Sequence, residues 1–88
     1  MITEAWREWI GEQNPEALFA DGYEDAIMGY AQQGTKQPLV VYDAEKCIEI
    51  LMNRDGMDRE EAQEFFEFNT LGSWMGEGTP LFFYPTEE

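Results

Sequence analysis

Carboxylates are the groups through which this chain could do chemistry. The sequence has 19 aspartates and glutamates and no histidine, so the imidazole used by most general bases, catalytic triads and metal sites is absent. Two carboxylates can act as general acid and general base when their environments differ. Among so many acids, however, a pair can be found at any spacing, so a pair does not indicate catalysis. We therefore predict that the protein is not an enzyme and assign no catalytic residue. An enzyme that uses carboxylates alone is the alternative.

Neither the other potential nucleophiles nor the glycine-rich segments indicate catalysis or phosphate binding. Ser73 is the only serine and has no neighbouring base in sequence to activate it. Cys47, the only cysteine, falls on the apolar side of a predicted helix, which favours an inert core thiol over the alternative of a nucleophile. The glycines at 72, 76 and 78 are not followed by Lys and Ser or Thr, so they do not match a phosphate-binding loop.

The segment MNRDGMDREEA (52–62) is similar to a calcium-binding loop only in composition. If Asp55 and Gly56 are aligned with the central Asp-Gly of such a loop, Leu51 and Ala62 fall at its first and last positions, which must be acidic. We therefore predict no metal site and no cofactor. A weak surface site for a cation among the acids is the alternative.

An acidic face on two consecutive predicted helices is the candidate partner-binding site. Its residues are Glu45, Glu49, Glu60, Glu64, Glu67 and Glu77. Successive members on one helix lie about 5–6 Å apart along the axis, at a rise of about 1.5 Å per residue. Phosphates along one nucleic-acid strand have a comparable spacing, so these acids could present a phosphate-like array. An ordinary solvated helix face is the alternative.

The net charge of −14 indicates the kind of partner. Five lysines and arginines stand against the 19 acids, and direct binding to nucleic acid or to an anionic membrane needs cations. The electrostatic counterpart is a basic protein, which includes proteins that themselves hold nucleic acid. Binding of this kind should weaken steeply as salt is added.

The helices that must position these acids follow from capping signals and apolar periodicity. The first lies within residues 1–14, with Thr3 as its N-cap. Asp43 and Asp58 are the expected N-caps of a helix pair within residues 43–69, and Asp58 is followed three residues later by Glu61, as in a capping box.

The strands are predicted from β-branched and apolar runs. PLVVYD (38–43) is the clearest, and a final strand is expected over 80–84. In the region 17–42 we prefer a hairpin, with strands at 17–19 and 26–30 around the turn Asp21-Gly22, over a helix that starts at Tyr23. The whole chain (1–88) is then one α+β domain, in which a short antiparallel sheet of three or four strands packs with the helix pair and the N-terminal helix.

Residues 64–80, EFFEFNTLGSWMGEGTP, connect the last helix to the last strand. We expect Phe65, Phe66 and Trp74 to form core under the sheet, with the glycines allowing the chain to reverse; a partner-binding patch around Phe68 and Trp74 is the alternative. Asn69 falls on the apolar stripe at the helix end. Its amide should therefore be buried and bonded to the backbone of the following loop.

A set of short motifs is distributed through the C-terminal two thirds of the chain. It comprises Tyr42-Asp43, Ile50-Leu51-Met52, Gly56-Met57, Glu60-Glu61-Ala62, Phe68-Asn69, Gly72, Trp74, Gly76-Glu77 and Thr79-Pro80, and the upstream ADGYEDA (20–26) also fits. Over about residues 18–84 the chain thereby resembles a family of small proteins, without an assigned function, that is widespread in tailed bacteriophages and some plasmids. The resemblance implies an α+β fold signature and a phage or mobile-element setting, but no catalytic or binding residues.

The sequence thus predicts a non-enzymatic, acidic, phage-type protein that binds a basic host protein. By analogy with other small acidic phage proteins, one form of this hypothesis is a nucleic-acid mimic that inhibits a host defence nuclease complex. The alternative is a structural module that self-associates into a homo-oligomer through aromatic surface at Trp6, Trp9 and residues 82–84.

The expected location is the cytoplasm, which is the host bacterial cytoplasm if the protein is phage-encoded. The N-terminal segment is acidic and lacks the basic start and apolar run of a secretion signal. No apolar run approaches the roughly 20 residues that span a bilayer. One cysteine excludes an intrachain disulfide, which is typical of a reducing compartment.

Overall fold

In the computed structural model, which describes residues 3–86, three α-helices and three strands form one α+β fold, as predicted. In chain order the elements are α1 (Glu4–Gln13), β1 (Ile27–Ala31), β2 (Leu39–Asp43), α2 (Ala44–Asp55), α3 (Arg59–Phe66) and β3 (Leu81–Phe83). A short 3₁₀ helix (Glu24–Ala26) leads into β1, and a π-helical turn (Glu67–Leu71) continues α3. Met1 and Ile2, which the first predicted helical region included, lie outside the described residues.

The sheet is mixed, with β2 in the centre. β1 runs antiparallel to β2, so that Ile27 lies opposite Tyr42 and Ala31 lies opposite Leu39. β3 runs parallel to β2, with Phe82 opposite Tyr42. We predicted an antiparallel sheet, and the pairing of β3 differs because α2 and α3 together form a crossover connection, which returns the chain to the end of the sheet where β2 begins.

The strand predicted at 26–30 is present as β1, but the predicted hairpin with the segment 17–19 is wrong. This segment is not a strand, and β1 pairs instead with β2. Its backbone is held by other partners: the amide of Leu18 donates to the carbonyl of Gly78, and the amide of Ala20 donates to the hydroxyl of Tyr42 at 2.7 Å. A short apolar run in sequence did not distinguish these bonds from a strand ladder.

The predicted N-caps are present. Thr3 caps α1, and Asp43 accepts hydrogen bonds from the second and third amides of α2. Asp58 and Glu61 form the capping box of α3, with N–O distances of 2.9 and 3.2 Å. Gly56 ends α2 in the left-handed conformation at φ 70°. These local signals therefore determine where each helix begins.

One core lies between the helices and one face of the sheet. Its fully buried side chains include Ile10 of α1, Val40 and Tyr42 of β2, Leu51 of α2 and Phe66 of α3. Because side chains alternate along a strand, the other residues of β2 lie on the opposite face of the sheet. On that outer face Leu39 and Val41 are partly buried, and Leu81 and Phe83 of β3 are exposed.

Candidate functional site

The carboxylates predicted to bind a partner lie on the surface. Glu49 projects from α2, and Glu60 and Glu64 project from α3; all three are exposed. Glu67 in the π-helical turn and Glu77 in the loop before β3 are exposed as well. Each of these groups is therefore accessible to a second molecule.

Glu45 differs from the other predicted residues because it has a cationic partner within the chain. The guanidinium of Arg59 lies 2.6 Å from one of its carboxylate oxygens and donates to the other at 2.9 Å. The hydrogen bond from Arg59 holds the pKa of Glu45 below its ordinary value. Much of the charge of Glu45 is thus neutralised internally, which makes it the weakest member of the predicted face.

A second acidic stripe lies on α1 and was not among the predicted site residues. It consists of Glu4, Glu8 and Glu12, and all three side chains are exposed. Their spacing of four residues places them on one side of the helix. This spacing is visible in the sequence and could have been used to predict the stripe.

Few carboxylates are neutralised by the chain itself. Arg54 forms an ion pair with Asp55 at 3.0 Å and also donates to a backbone carbonyl, and Arg59 forms the pair with Glu45. Within residues 3–86 these two acids are the ones that form ion pairs. The remaining negative charge is available to solvent, to counter-ions or to a partner.

An open groove lies at the end of the sheet where β2 and β3 begin. Its volume is about 920 Å³, within the range of about 300–1,000 Å³ that is typical of ligand pockets. Leu39 and Leu81, from the first positions of the two strands, line it together with Leu71 and Trp74 from the preceding loop. The side of the groove formed by the β1–β2 connection carries glutamines and Lys36.

The two carboxylates that line this groove, Glu16 and Glu77, come from segments that are held together by their backbones. The amide of Leu18 donates to the carbonyl of Gly78 at 3.0 Å. Gly78 also lies so close to Glu16 that a β-carbon at position 78 would overlap the carbonyl of Glu16. This approach places the two acidic residues at one part of the groove.

Asn14 fixes the position of the same segment. Its side chain is buried, donates to the carbonyl of Pro38 at 2.9 Å and accepts from the amide of Glu16 at 3.0 Å. The buried amide that we predicted at Asn69 is therefore found at Asn14, at the end of α1. The feature of the sequence that could have indicated this role is the position of Asn14, just after a helix and before a proline.

Asn69 and Trp74 do not have the structural roles that we predicted. Asn69 is exposed and donates to the carbonyl of Phe65 at 3.2 Å, not to the loop that follows. Trp74 is 70% exposed. The π-helical turn (Glu67–Leu71) explains the error at Asn69, because its wider turn rotates side chains away from the direction that an α-helical period predicts. Trp74 lies beyond this turn, in the loop before β3, where no helical period fixes its orientation.

Large apolar side chains are exposed along this connector. Phe66 is core as predicted, but Phe65 is exposed, and Phe68 is exposed at 83%. The neighbouring Tyr84 has a raised pKa, first because of partial burial and then because of the negative charge of Glu67. Aromatic rings and carboxylates are therefore interleaved at this surface, which is the kind of exposed patch that marks interaction sites.

Cys47 is a core thiol, as predicted. It is buried, and burial, with a smaller contribution from the charge of Asp43, raises its pKa to about 12. The nucleophilic thiolate is therefore scarce at neutral pH. In the part of the chain that the structure describes, no three acidic or cysteine side chains form a group that could hold a metal ion, and no helix is long and apolar enough to cross a membrane.

Comparison of the chain with models of protein families, with curated proteins and with solved structures found no match. The resemblance to small phage and plasmid proteins stays a prediction.

Proposed function

We propose that this protein acts by binding a basic protein, without catalysing a reaction, and that the carboxylates of α3 and its π-helical turn make the contact. The observation that carries the proposal is the exposure of Glu60, Glu64 and Glu67 along one helix, with no ion pair to another residue in the range 3–86. Their charge is not used by the fold, so it is free to attract an external cation.

Electrostatics favours such a partner over the other classes. A net charge of −14 produces a field that accelerates encounter with a basic surface and repels nucleic acid and anionic membranes. Lysine or arginine side chains of the partner would offset the cost of removing the carboxylates from water. The association should therefore be fast at low salt and weak at high salt.

The exposed aromatic residues beside the acids add a second kind of contact. Phe65 directly follows Glu64 in the chain, and Phe68 directly follows Glu67; both rings are exposed. An arginine can pair with a carboxylate and stack on a neighbouring ring, and stacking of this kind contributes about 0.5–2 kcal/mol. Arginine-rich surfaces suit this combination better than lysine-rich ones.

A narrower form of the proposal is that the partner is a host nucleic-acid-binding protein, in particular a defence nuclease complex, and that the acids take the place of phosphates. The helical spacing of the exposed acids on α3 supports it. The resemblance to phage proteins supports the setting, which would be the host bacterial cytoplasm.

Affinity capture from a bacterial lysate at low and high salt, followed by binding of the purified candidate, tests the proposal. The triple variant Glu60→Gln, Glu64→Gln, Glu67→Gln should lose the partner. The matched control, Glu4→Gln, Glu8→Gln, Glu12→Gln, removes the same charge from α1 and should retain most of the binding. Equal losses of binding in both variants would indicate non-specific attraction and would contradict a site on α3. If duplex DNA does not displace this protein from its partner, nucleic-acid mimicry is contradicted.

Self-association is a second candidate function, and the outer face of the sheet favours it. Leu81 and Phe83 of β3 are 44% and 45% exposed, and they lie opposite Val41 and Asp43 of β2, respectively. Much of the aromatic surface predicted for this role is used internally, since Trp6 packs against Phe19 and Phe82 stacks on Tyr42. Sedimentation velocity over a wide range of concentration should show a dimer if this function is correct, and a monomer throughout would exclude it.

A further inference from the structure

We infer that the groove at the beginning of β2 and β3 binds a short segment of a basic protein, with a large apolar side chain over Leu39, Leu81 and Trp74 and a neighbouring arginine or lysine at Glu16 and Glu77. The inference rests on the proposed function, because it assumes a basic partner, and it names a second contact that supplies selectivity. It concerns residues that do not belong to the α3 site.

Trp74 is the residue that would anchor the segment. Its side chain is 70% exposed although the loop around it is tied down. The hydroxyl of Thr79 accepts from the amide of Met75 at 2.8 Å and donates to the carbonyl of Gly76 at 2.7 Å. An exposed tryptophan in a hydrogen-bonded loop loses little entropy when it is covered, and such residues commonly dominate binding energy.

Charge complementarity specifies the occupant. Two carboxylates and one ammonium group, that of Lys36, line the groove, and the whole chain has a net charge of −14. A second copy of this chain or a nucleic acid would add negative charge to this field, whereas an arginine or lysine would relieve it. The groove therefore fits an apolar side chain flanked by cations.

Side chains, not strand addition, would provide the contact. β3 is an edge strand of three residues, and Pro80 precedes it while Pro85 follows soon after. Prolines and short length are devices that prevent another strand from pairing with an edge. The adjoining groove, by contrast, is open and presents the side chains of Leu39, Leu81 and Trp74.

Nuclear magnetic resonance titration of the ¹⁵N-labelled full chain tests the inference with synthetic peptides. The probe is a short peptide of alternating arginine and leucine. One control peptide replaces every leucine with serine, and another replaces every arginine with glutamate. We expect the arginine–leucine peptide to shift the Trp74 indole and the amides of Leu39 and Leu81, and to bind more tightly than either control peptide.

Two variants make the result specific to the groove. Trp74→Ser should weaken binding of the arginine–leucine peptide by about tenfold or more. Met28→Ser, the matched control, removes a large apolar side chain that is 54% exposed and does not line the groove, and it should leave the affinity unchanged. Both positions are exposed, so both variants should fold.

The outcomes separate this inference from the proposed function. If both arginine peptides shift only the amides of α1 and α3, the groove is not a site and the inference is overturned, while the proposed function stands. If the groove shifts occur but the α3 glutamine variant still captures its basic partner fully, the inference stands and the α3 proposal fails. Two results would overturn the inference that the occupant is cationic. One is binding of the glutamate peptide, and the other is a shift of the groove resonances when the protein concentration alone is raised.

Discussion

Gly78 lies against the backbone of Glu16 so closely that a β-carbon at position 78 would overlap the carbonyl of Glu16. This approach joins the segment after α1 to the loop before β3. It also brings Glu16 and Glu77 to the same groove. Because neither backbone can yield without breaking the bond between Leu18 and Gly78, this position should tolerate no side chain.

The substitution Gly78→Ala should therefore reduce the free energy of unfolding by about 1–3 kcal/mol, as overpacking of a tight site does. Urea denaturation measures the change. Gly11→Ala is the matched control, since position 11 lies inside α1 with no atom within 4 Å of the added β-carbon. It should stabilise the protein by about 0.5–1 kcal/mol. A Gly78→Ala protein as stable as the original would refute the close approach.

Asn14→Ala should destabilise the protein by about 1–3 kcal/mol, because it leaves the buried carbonyl of Pro38 and the amide of Glu16 without their partner. The matched substitution Asn69→Ala removes an exposed amide and should change stability by no more than about 0.5 kcal/mol. Thermal or urea unfolding of the two variants distinguishes the positions. The reverse order would mean that Asn69, not Asn14, is the buried amide.

Alkaline pH should destabilise the protein in two overlapping steps. Burial raises the pKa of the Cys47 thiol from 9.0 to about 12 and that of the Tyr42 phenol from 10.0 to about 12. Since both groups bind protons more tightly in the folded state, their contribution is complete below the unfolded pKa and is lost as the pH rises toward the folded value. The free energy of unfolding should thus fall between about pH 9 and pH 12.

Two variants assign this alkaline loss to its groups. Cys47→Ala should remove the part that begins near pH 9, and Tyr42→Phe should remove the part that begins near pH 10. Both variants should be less stable than the original at neutral pH, because both side chains are fully buried. Unfolding curves at several pH values give the slopes. An unchanged slope in both variants would mean that other groups cause the alkaline loss.

Glu45→Gln should affect partner binding less than Glu64→Gln. Arg59 already pairs with Glu45, so a partner gains less from that carboxylate than from the exposed Glu64, which has no ion pair within residues 3–86. The effect of Glu45→Gln on stability should also be small, about 0–1 kcal/mol, as is usual for exposed ion pairs. Titration calorimetry with the captured partner compares the two variants, and a larger loss of affinity for Glu45→Gln would contradict this ranking.

Local signals were enough to predict some features of this protein. The N-caps Thr3, Asp43 and Asp58 and the buried thiol of Cys47 are as predicted. Each depends on residues within one or two turns of the same helix. The charge that restricts the class of partner is likewise a property of composition, and no folding is needed to establish it.

Tertiary structure decided the features that depend on distant segments. The parallel pairing of β3 results from the path of two helices. The segment 17–19 does not pair as a strand: Leu18 bonds to Gly78, and the adjacent Ala20 bonds to Tyr42. Trp74 lies in the loop after the π-helical turn and is exposed, whereas we expected it in the core under the sheet. Gly78 meets Glu16, residues far apart in the chain whose approach no local pattern encodes, and this approach brings Glu16 and Glu77 to the same groove.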